Sequence, residues 1–238
     1  MIRRTKTGIP GLDEITDGGF IRGTVNLVSG PAGSGKSLLG LQYLYGGAKD
    51  EKENGLGLTL EESRTNLERA TTQFFPQWGK LEEEKRLGLV DLGELRRGSL
   101  EERRGLGFRE VEDFLGAYLE QNDCRRLVID SLVAIGLHYR SMEELREEMF
   151  YFARFLREHD VTSLLITESL EDGELTRFGV EQFVCDSFLL LGLDEMRGTF
   201  RRTFTIRKMR FTNHSPSKHP VLITKEGLEI ASEEKVMP

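Results

Sequence analysis

A glycine-rich stretch that ends in a lysine and a serine carries the clearest chemistry of this 238-residue sequence. Residues 30–37 read Gly-Pro-Ala-Gly-Ser-Gly-Lys-Ser and match the pattern G-x-x-x-x-G-K-[ST] at every fixed position. Gly33 and Gly35 let the backbone turn its N–H groups inward as a nest for an anion, and a helix beginning near Lys36 adds the partial positive charge of its N-terminus. The stretch is therefore expected to hold the phosphates of a nucleotide.

The two polar residues at the end of this loop suggest separate roles. Lys36 could reach the β- and γ-phosphates of a nucleotide, and the Ser37 hydroxyl could be a ligand of Mg²⁺. A nucleoside triphosphate and Mg²⁺ are thus the expected ligands of this stretch. The residues expected to contact the nucleotide are Gly30, Pro31, Ala32, Gly33, Ser34, Gly35, Lys36, Ser37 and Leu38.

Acidic residues end two of the predicted strands. Asp130 ends an apolar run, where a parallel sheet would bring it beside the loop to hold the Mg²⁺ shell; the alternative is an Asp that caps the next turn. Glu61 and Glu62 stand at the sheet edge where α/β proteins bind ligands, and one of them could deprotonate an attacking water. Adjacent residues of a strand point to opposite faces, so both could act only if the strand has already ended. A solvated helix N-terminus explains the pair equally well.

Cations two residues apart close a later predicted strand. Lys208 and Arg210 share one face of it, and His214 follows four residues after Arg210. Cations on an edge strand usually discourage strand pairing. The alternative is a pair that reaches a phosphate on a neighbouring subunit, as an arginine finger does. Spacing by itself favours the first interpretation.

Alternating strands and helices must position these groups. Apolar runs predict strands at 24–29, 55–60, 87–92, 126–130 and 161–167, and helical periodicity or capping boxes predict helices at 37–48, 65–75, 108–122 and from 141 onward. The first helix is expected to close at Gly46-Gly47, and the second to open with a capping box at 65–68. Strands are expected at 186–193, 199–210 and 221–230, the last with a turn at 225–227. This order predicts one α/β domain over residues 1–238, with a mostly parallel sheet flanked by helices and an antiparallel C-terminal edge.

Composition narrows the class of protein. The formal net charge of −7 argues against a surface that grips nucleic acid throughout, although a local basic patch is compatible with it. No apolar run reaches membrane-spanning length, and no apolar segment follows the basic N-terminus, so we expect no membrane association and no secretory signal. Cys124 and Cys185 form neither a CxxC motif nor a metal-ligand spacing, which indicates a reducing cytoplasm and inert packing. The histidines at 138, 159 and 219 are expected at the surface.

Several ordered segments together resemble the KaiC/RecA-like ATPase family, and KaiC-type domains in particular. The resemblance covers nearly the whole chain. The matching segments are TGIPGLDEITDGGFIRGTVNLVSGPAGSGKS, LEES at 60–63, NLERATTQFFPQWGKLEEEKRLGLVDL, RLVIDSL, FGVEQFVCDSFLLL and IRKMRFTNHSPSKHPVLITKEGLEI. The K-x-R-x-x-x-H spacing of the last segment is kept as Lys208, Arg210 and His214.

The resemblance implies roles for the undecided groups. In that family the paired acids serve hydrolysis, so Glu61 and Glu62 carry over, with Glu62 as the expected water activator. The family forms hexameric rings with nucleotide between subunits, so Lys208 and Arg210 carry over as contacts from the next protomer and His214 as a nucleotide neighbour. The circadian clock protein of that family has two such domains in tandem, whereas this chain has one. No segment of this chain matches the autophosphorylated Ser/Thr pair in the second domain of that protein. Autokinase activity is therefore not implied.

The expected function is Mg-dependent ATP hydrolysis by a RecA-like domain in a homo-oligomeric ring, expected to be a hexamer, with a regulatory or signalling role. One alternative is a DNA-binding recombinase or helicase accessory, for which the stretch with Arg96, Arg97, Arg103 and Arg104 supplies cations interrupted by glutamates. A second is a slow ATP-gated scaffold for a signalling partner. Fold by itself does not choose between them.

Overall fold

A computed structural model describes residues 2–95, 106–170, 173–196 and 198–236 of the chain. Its strands, in chain order, are β1 Arg4–Thr5, β2 Phe20–Ile21, β3 Val25–Ser29, β4 Asn54–Thr59, β5 Leu87–Asp91, β6 Cys124–Asp130, β7 Thr162–Ile166, β8 Ser187–Met196, β9 Thr199–Met209, β10 Lys218–Thr224 and β11 Gly227–Ile230. Its helices are α1 Leu12–Ile15, α2 Lys36–Gly46, α3 Arg64–Phe74, α4 Trp78–Glu83, α5 Leu92–Leu95, α6 Phe108–Gln121, α7 Leu132–Gly136, α8 Met142–Glu158 and α9 Glu181–Val184.

The described strands form a nine-stranded sheet in the order β11-β10-β9-β8-β3-β7-β6-β4-β5, beside a small β1–β2 pair. The segment from β8 to β5 in this order is parallel, and β9, β10 and β11 add to it in antiparallel fashion. The mostly parallel sheet with an antiparallel C-terminal edge, expected from the sequence, is confirmed. Because parallel strands place their carboxyl ends at one edge, the residues after β3, β4, β6 and β7 meet there.

Two apolar layers cover the faces of the sheet. Residues of α2, α3 and α4 pack on one face, and residues of α6 and α8 on the other. Apolar residues at helical spacing in α8 are buried: Leu145, Met149, Phe152 and Leu156. Trp78 of α4 is likewise a core residue. In the described part of the chain, no helix is both long enough and apolar enough to cross a membrane.

α2 ends at Gly46 with Gly47 as its C-cap, as the sequence predicts. Both glycines nevertheless keep helical dihedral angles, and the chain continues into a π-helical turn, Gly47–Glu51. A Cβ at Gly47 would lie 2.2 Å from Nε of the buried Arg126, so the glycine leaves the space that this guanidinium fills. The N-cap of α3 is Ser63, which accepts from Asn66 N, and not Thr65. Ser63 has extended dihedral angles, as an N-cap requires.

His219 also departs from the expectation of a surface residue. It lies on β10 opposite Phe204 and is only 2% exposed. Its Nδ1 lies 2.7 Å from Glu234 O, and its Nε2 lies 2.8 Å from Ser215 Oγ. Because both ring nitrogens have hydrogen-bond partners, the burial of this polar side chain leaves no ring nitrogen unpaired.

Candidate active site

Residues 30–37, called the phosphate loop below, lie between the buried strand β3 and the body of helix α2. Gly33 and Gly35 have φ of 76° and 106°, in the left-handed region that a Cβ disfavours. Gly30 has a different constraint, because a Cβ there would lie 2.4 Å from Leu191 O of β8. Gly35 is the N-cap of α2, so the first amides of that helix face the loop, as an anion site needs.

The side chain of Lys36 folds back over this loop. Its Nζ donates to Gly30 O at 2.8 Å and to Pro31 O at 3.0 Å. Burial lowers the pKa of Lys36, and the negative charges of Asp130, Glu168 and Glu61 oppose that shift. The ammonium therefore lies where the carboxylates of three different strand ends converge.

Asp130 lies where the sequence placed it, at the end of β6 and beside the loop. Burial raises the pKa of its carboxyl group, while the Ser37 hydroxyl, as a hydrogen-bond donor, and the Lys36 ammonium oppose the shift. A hydroxyl and a carboxylate oxygen are the hard ligands that Mg²⁺ prefers, and phosphate oxygens and water complete such a shell in nucleotide sites. The donor set at Ser37 and Asp130 therefore fits Mg²⁺.

The paired glutamates both face the same cleft because the strand ends before them. β4 stops at Thr59, whose Oγ1 donates to Glu62 O at 2.7 Å and accepts from Glu62 N at 3.2 Å. This turn removes the alternation that would point the two side chains apart. Glu61 Oε2 accepts a hydrogen bond of 2.6 Å from Ser131 Oγ. Among the residues that the structure describes, the Glu62 carboxylate has no such partner.

The cleft that these residues line has a volume of ≈ 510 Å³. Its lining includes Ala32, Gly33, Lys36, Ser37, Glu61, Glu62 and Asp130, all of them predicted from the sequence, and also Ser63, Asn66, Ser131 and Glu168, which were not. Asp130 ends β6 and Glu168 comes two residues after β7, at the same edge of the sheet, so the rule that found Asp130 would have found Glu168 too. The capping box at 65–68 predicts a start of α3 that is two residues too late, so it does not bring Ser63 and Asn66 to this cleft.

One further contact to the loop comes from the antiparallel part of the sheet. Arg202 of β9 donates from Nε to Gly33 O at 3.1 Å. No sequence pattern predicts this contact, because it depends on which strand lies next to β8.

Lys208, Arg210 and His214 lie away from this cleft. Met209, between the two cations, pairs with Ser187 at the start of β8, and Ser187 pairs with Asn26 at the start of β3. The cations are therefore at the amino-terminal edge of the parallel strands, whereas the phosphate loop follows the carboxyl end of β3. None of the three residues lines the cleft of its own chain.

Backbone and side-chain oxygens hold the two cations in place. Lys208 Nζ donates to Gln182 O at 2.9 Å and to Cys185 O at 2.6 Å. Burial, and then the charge of Arg210, lower the pKa of Lys208. Arg210 forms an ion pair with Asp186, and His214 Nδ1 lies 3.0 Å from Ser215 O. A groove of ≈ 640 Å³ opens beside Arg210 and Asp186. It is larger than the cleft of ≈ 510 Å³ at the phosphate loop.

The arginine-rich stretch considered for nucleic acid lies mostly outside the described residues. Its cations Arg96, Arg97, Arg103 and Arg104 all belong to the undescribed range 96–105.

Comparison with known proteins gives the same family from three directions. A family model described as "ATPase: KaiC" matches residues 5–235. The circadian clock oscillator protein KaiC of Synechococcus elongatus is 31% identical over 230 residues, which are 96% of this chain and 44% of that protein. The chain thus spans less than half the length of that relative.

A shorter relative and a solved structure match this chain over almost the whole length of both partners. The UPF0273 protein MJ1359 of Methanocaldococcus jannaschii is 32% identical over 95% of this chain and 96% of its own length. The crystal structure of the KaiC-like protein PH0186 of Pyrococcus horikoshii OT3 superposes with a TM-score of 0.84 at 33% identity, covering 97% of this chain and 99% of that one.

Proposed function

This chain belongs to the KaiC family of ATPases, and on that premise we propose that it binds Mg·ATP at residues 30–37 and hydrolyses it within a homo-oligomeric ring. The observation that carries the proposal is the convergence of Lys36, Asp130 and the Glu61–Glu62 pair on one cleft at the carboxyl edge of the sheet. Each group comes from a different strand end, so this convergence is a property of the fold.

In the proposed reaction, a water attacks the γ-phosphorus in line with the bond to the β–γ bridging oxygen. The new bond joins the water oxygen to phosphorus, and one proton of the water passes to the Glu62 carboxylate. The bond between phosphorus and the bridging oxygen breaks, and its electron pair stays on the ADP that leaves. Lys36 and the loop amides bind the phosphate oxygens on which negative charge develops. Ser37 and Asp130 would hold Mg²⁺, which would supply further positive charge at the phosphates.

The contacts at Lys208, Arg210 and His214 are proposed to act on the nucleotide of the adjacent subunit. Their support is their position at the edge opposite to the phosphate loop, so that a head-to-tail arrangement of copies would bring one edge to the other. A closed ring of six is the proposed assembly, in keeping with the resemblance. Removal of an arginine finger in related enzymes costs about 10³–10⁵ in rate.

A regulatory or signalling role in the cytoplasm, with a protein partner, completes the proposal. Its support is the family, and the two cysteines, which are free and buried in the described structure. We do not propose a nucleic-acid substrate, because the net charge is −7.

Phosphate release measured over a range of protein concentrations, combined with size-exclusion chromatography and light scattering, tests this proposal. The wild type should release phosphate from Mg·ATP with a specific rate that rises as subunits assemble. Lys36→Ala should abolish turnover and weaken Mg·ATP binding, whereas Lys80→Ala, at an exposed position of α4, should change neither. A wild type that takes up no Mg·ATP overturns the proposed function. A specific rate that is independent of concentration in dilute monomer overturns the contribution from the neighbouring subunit.

A further inference from the structure

Asp186, at the corner between α9 and β8, is bonded to Arg210 through both its backbone and its side chain. Arg210 N donates to Asp186 O at 3.0 Å, and Arg210 Nη1 donates to Asp186 Oδ1 at 3.1 Å. The Asp186 side chain is 15% exposed, while that of Arg210 is 45% exposed. The arginine therefore projects outward from a carboxylate that is itself mostly enclosed.

The second oxygen of Asp186 is fixed by two other elements. Oδ2 accepts from Val25 N, the first amide of β3, at 3.0 Å, and from Arg157 Nε of α8, also at 3.0 Å. Arg157 also donates to Val184 O at 3.1 Å, which ties it to the end of α9. With donors from β3 and α8 on one oxygen, the other oxygen is held towards Arg210. Charge-assisted hydrogen bonds of this kind are shorter and stronger than neutral ones.

We propose that Asp186 is a positioning residue that presets Arg210 for the nucleotide of the adjacent subunit, with Arg157 bracing the carboxylate from α8. This inference rests on the proposed function and adds to it the residue that sets the direction of the arginine. Arg side chains have many rotamers, and a group misplaced by about 1 Å can cost roughly 100-fold in rate. Lys208 is held by backbone carbonyls instead, so a substitution at Asp186 leaves its two bonds in place.

Asp186→Asn tests the positioning role. Asparagine replaces one acceptor oxygen of Asp186 with an NH₂ donor. That NH₂ group would face either the two donors Val25 N and Arg157 Nε or the donor Arg210 Nη1, so the orientation of Arg210 is lost. We expect kcat for ATP hydrolysis to fall by about 10- to 100-fold, with Mg·ATP binding and ring mass unchanged. The double variant Asp186→Asn, Arg210→Ala should be no slower than Arg210→Ala alone, since residues that act as a unit are not additive. An additive loss in the double variant overturns the proposal.

Mixed rings separate an effect on the neighbour from an effect on the chain's own cleft. Asp186→Asn subunits keep an intact phosphate loop, and Lys36→Ala subunits keep an intact Arg210. Mixed in equal amounts, they should recover about a quarter of the wild-type rate, because about a quarter of head-to-tail interfaces then pair the two intact halves. No recovery, with mixed assembly verified, overturns the proposal and leaves the ATPase assignment of the wild type standing.

Arg157→Gln provides a second variant should Asp186→Asn fail to fold. It removes the brace from α8 but leaves the contact between Asp186 and Arg210. We expect a several-fold fall in kcat at unchanged KM, and no further fall when it is combined with Arg210→Ala. An unchanged kcat for Arg157→Gln overturns the bracing role. If the wild type itself hydrolyses no ATP, the proposed function fails rather than the positioning.

Discussion

The Ser131 hydroxyl holds the Glu61 carboxylate by a hydrogen bond of 2.6 Å, which joins the turn after β4 to the residue after Asp130. One oxygen of the Glu61 carboxylate, Oε2, therefore already accepts a hydrogen bond from the protein. Glu62, next to it in the same cleft, has no such tether among the described residues. A general base needs a carboxylate that is available to water, so the geometry favours Glu62.

The first prediction follows from this difference. Glu62→Gln should lower kcat by about 10²–10⁴ with little change in Mg·ATP affinity, because the amide keeps the shape and loses the basicity. Glu61→Gln should lower kcat less, and Ser131→Ala should resemble Glu61→Gln. Single-turnover phosphate release measures the effect on the chemical step, and equilibrium nucleotide binding measures the effect on Mg·ATP affinity. A larger loss for Glu61→Gln than for Glu62→Gln would reassign the base.

The second prediction concerns the close approach of Gly30 to β8. A Cβ at Gly30 would lie 2.4 Å from Leu191 O, so Gly30→Ala must displace either the loop or the strand. The expected loss in the free energy of unfolding is about 1–3 kcal/mol, with weaker Mg·ATP binding. The matched control is Gly79→Ala in α4, where a Cβ meets nothing within 4 Å, and where alanine should stabilise by about 0.5–1 kcal/mol. Denaturant unfolding measures the free energy of unfolding of both variants. Equal changes for Gly30→Ala and Gly79→Ala would contradict a steric role for Gly30.

The third prediction distinguishes two candidates for the start of α3. Ser63→Ala should lower the free energy of unfolding by about 0.5–1 kcal/mol, because the Asn66 amide loses its side-chain acceptor. Thr65→Ala should lower it by less, since Thr65 lies inside the helix and is not the N-cap. Urea unfolding of the two variants side by side decides between them. A larger loss at Thr65 would restore the capping box predicted from the sequence.

The fourth prediction concerns the two thiols. Burial raises the pKa of Cys124 and of Cys185 from 9.0 to about 12. Neither thiol should react with a disulfide reagent near pH 8 in the folded protein, and both should react in denaturant. Because the folded pKa values are raised, their contribution to stability is fully present below about pH 9 and is lost as the pH rises towards about 12. Rapid modification of the native protein would show that a thiol is accessible.

The sequence predicted the central part of the fold well where the signal was local. The strand before the phosphate loop, the helix α8 behind Ser141 and the strand ending at Asp130 all appear within one or two residues of their predicted bounds. The predicted start of α3 at Thr65 is wrong, because the capping pattern at 65–68 takes no account of the turn after β4, which places the N-cap at Ser63. The burial of His219 was not predicted either, since its partners Ser215 and Glu234 come from two different segments.

The sequence by itself determined the phosphate loop, because a run of eight residues contains the glycines, the lysine and the hydroxyl whose local geometry makes an anion nest. Only the tertiary structure decided that Glu61 and Glu62 face one cleft, that Glu168 joins them, and that Lys208 and Arg210 lie at the opposite edge. Those facts depend on strand order and on where each strand stops, which are set by packing between segments far apart in the chain.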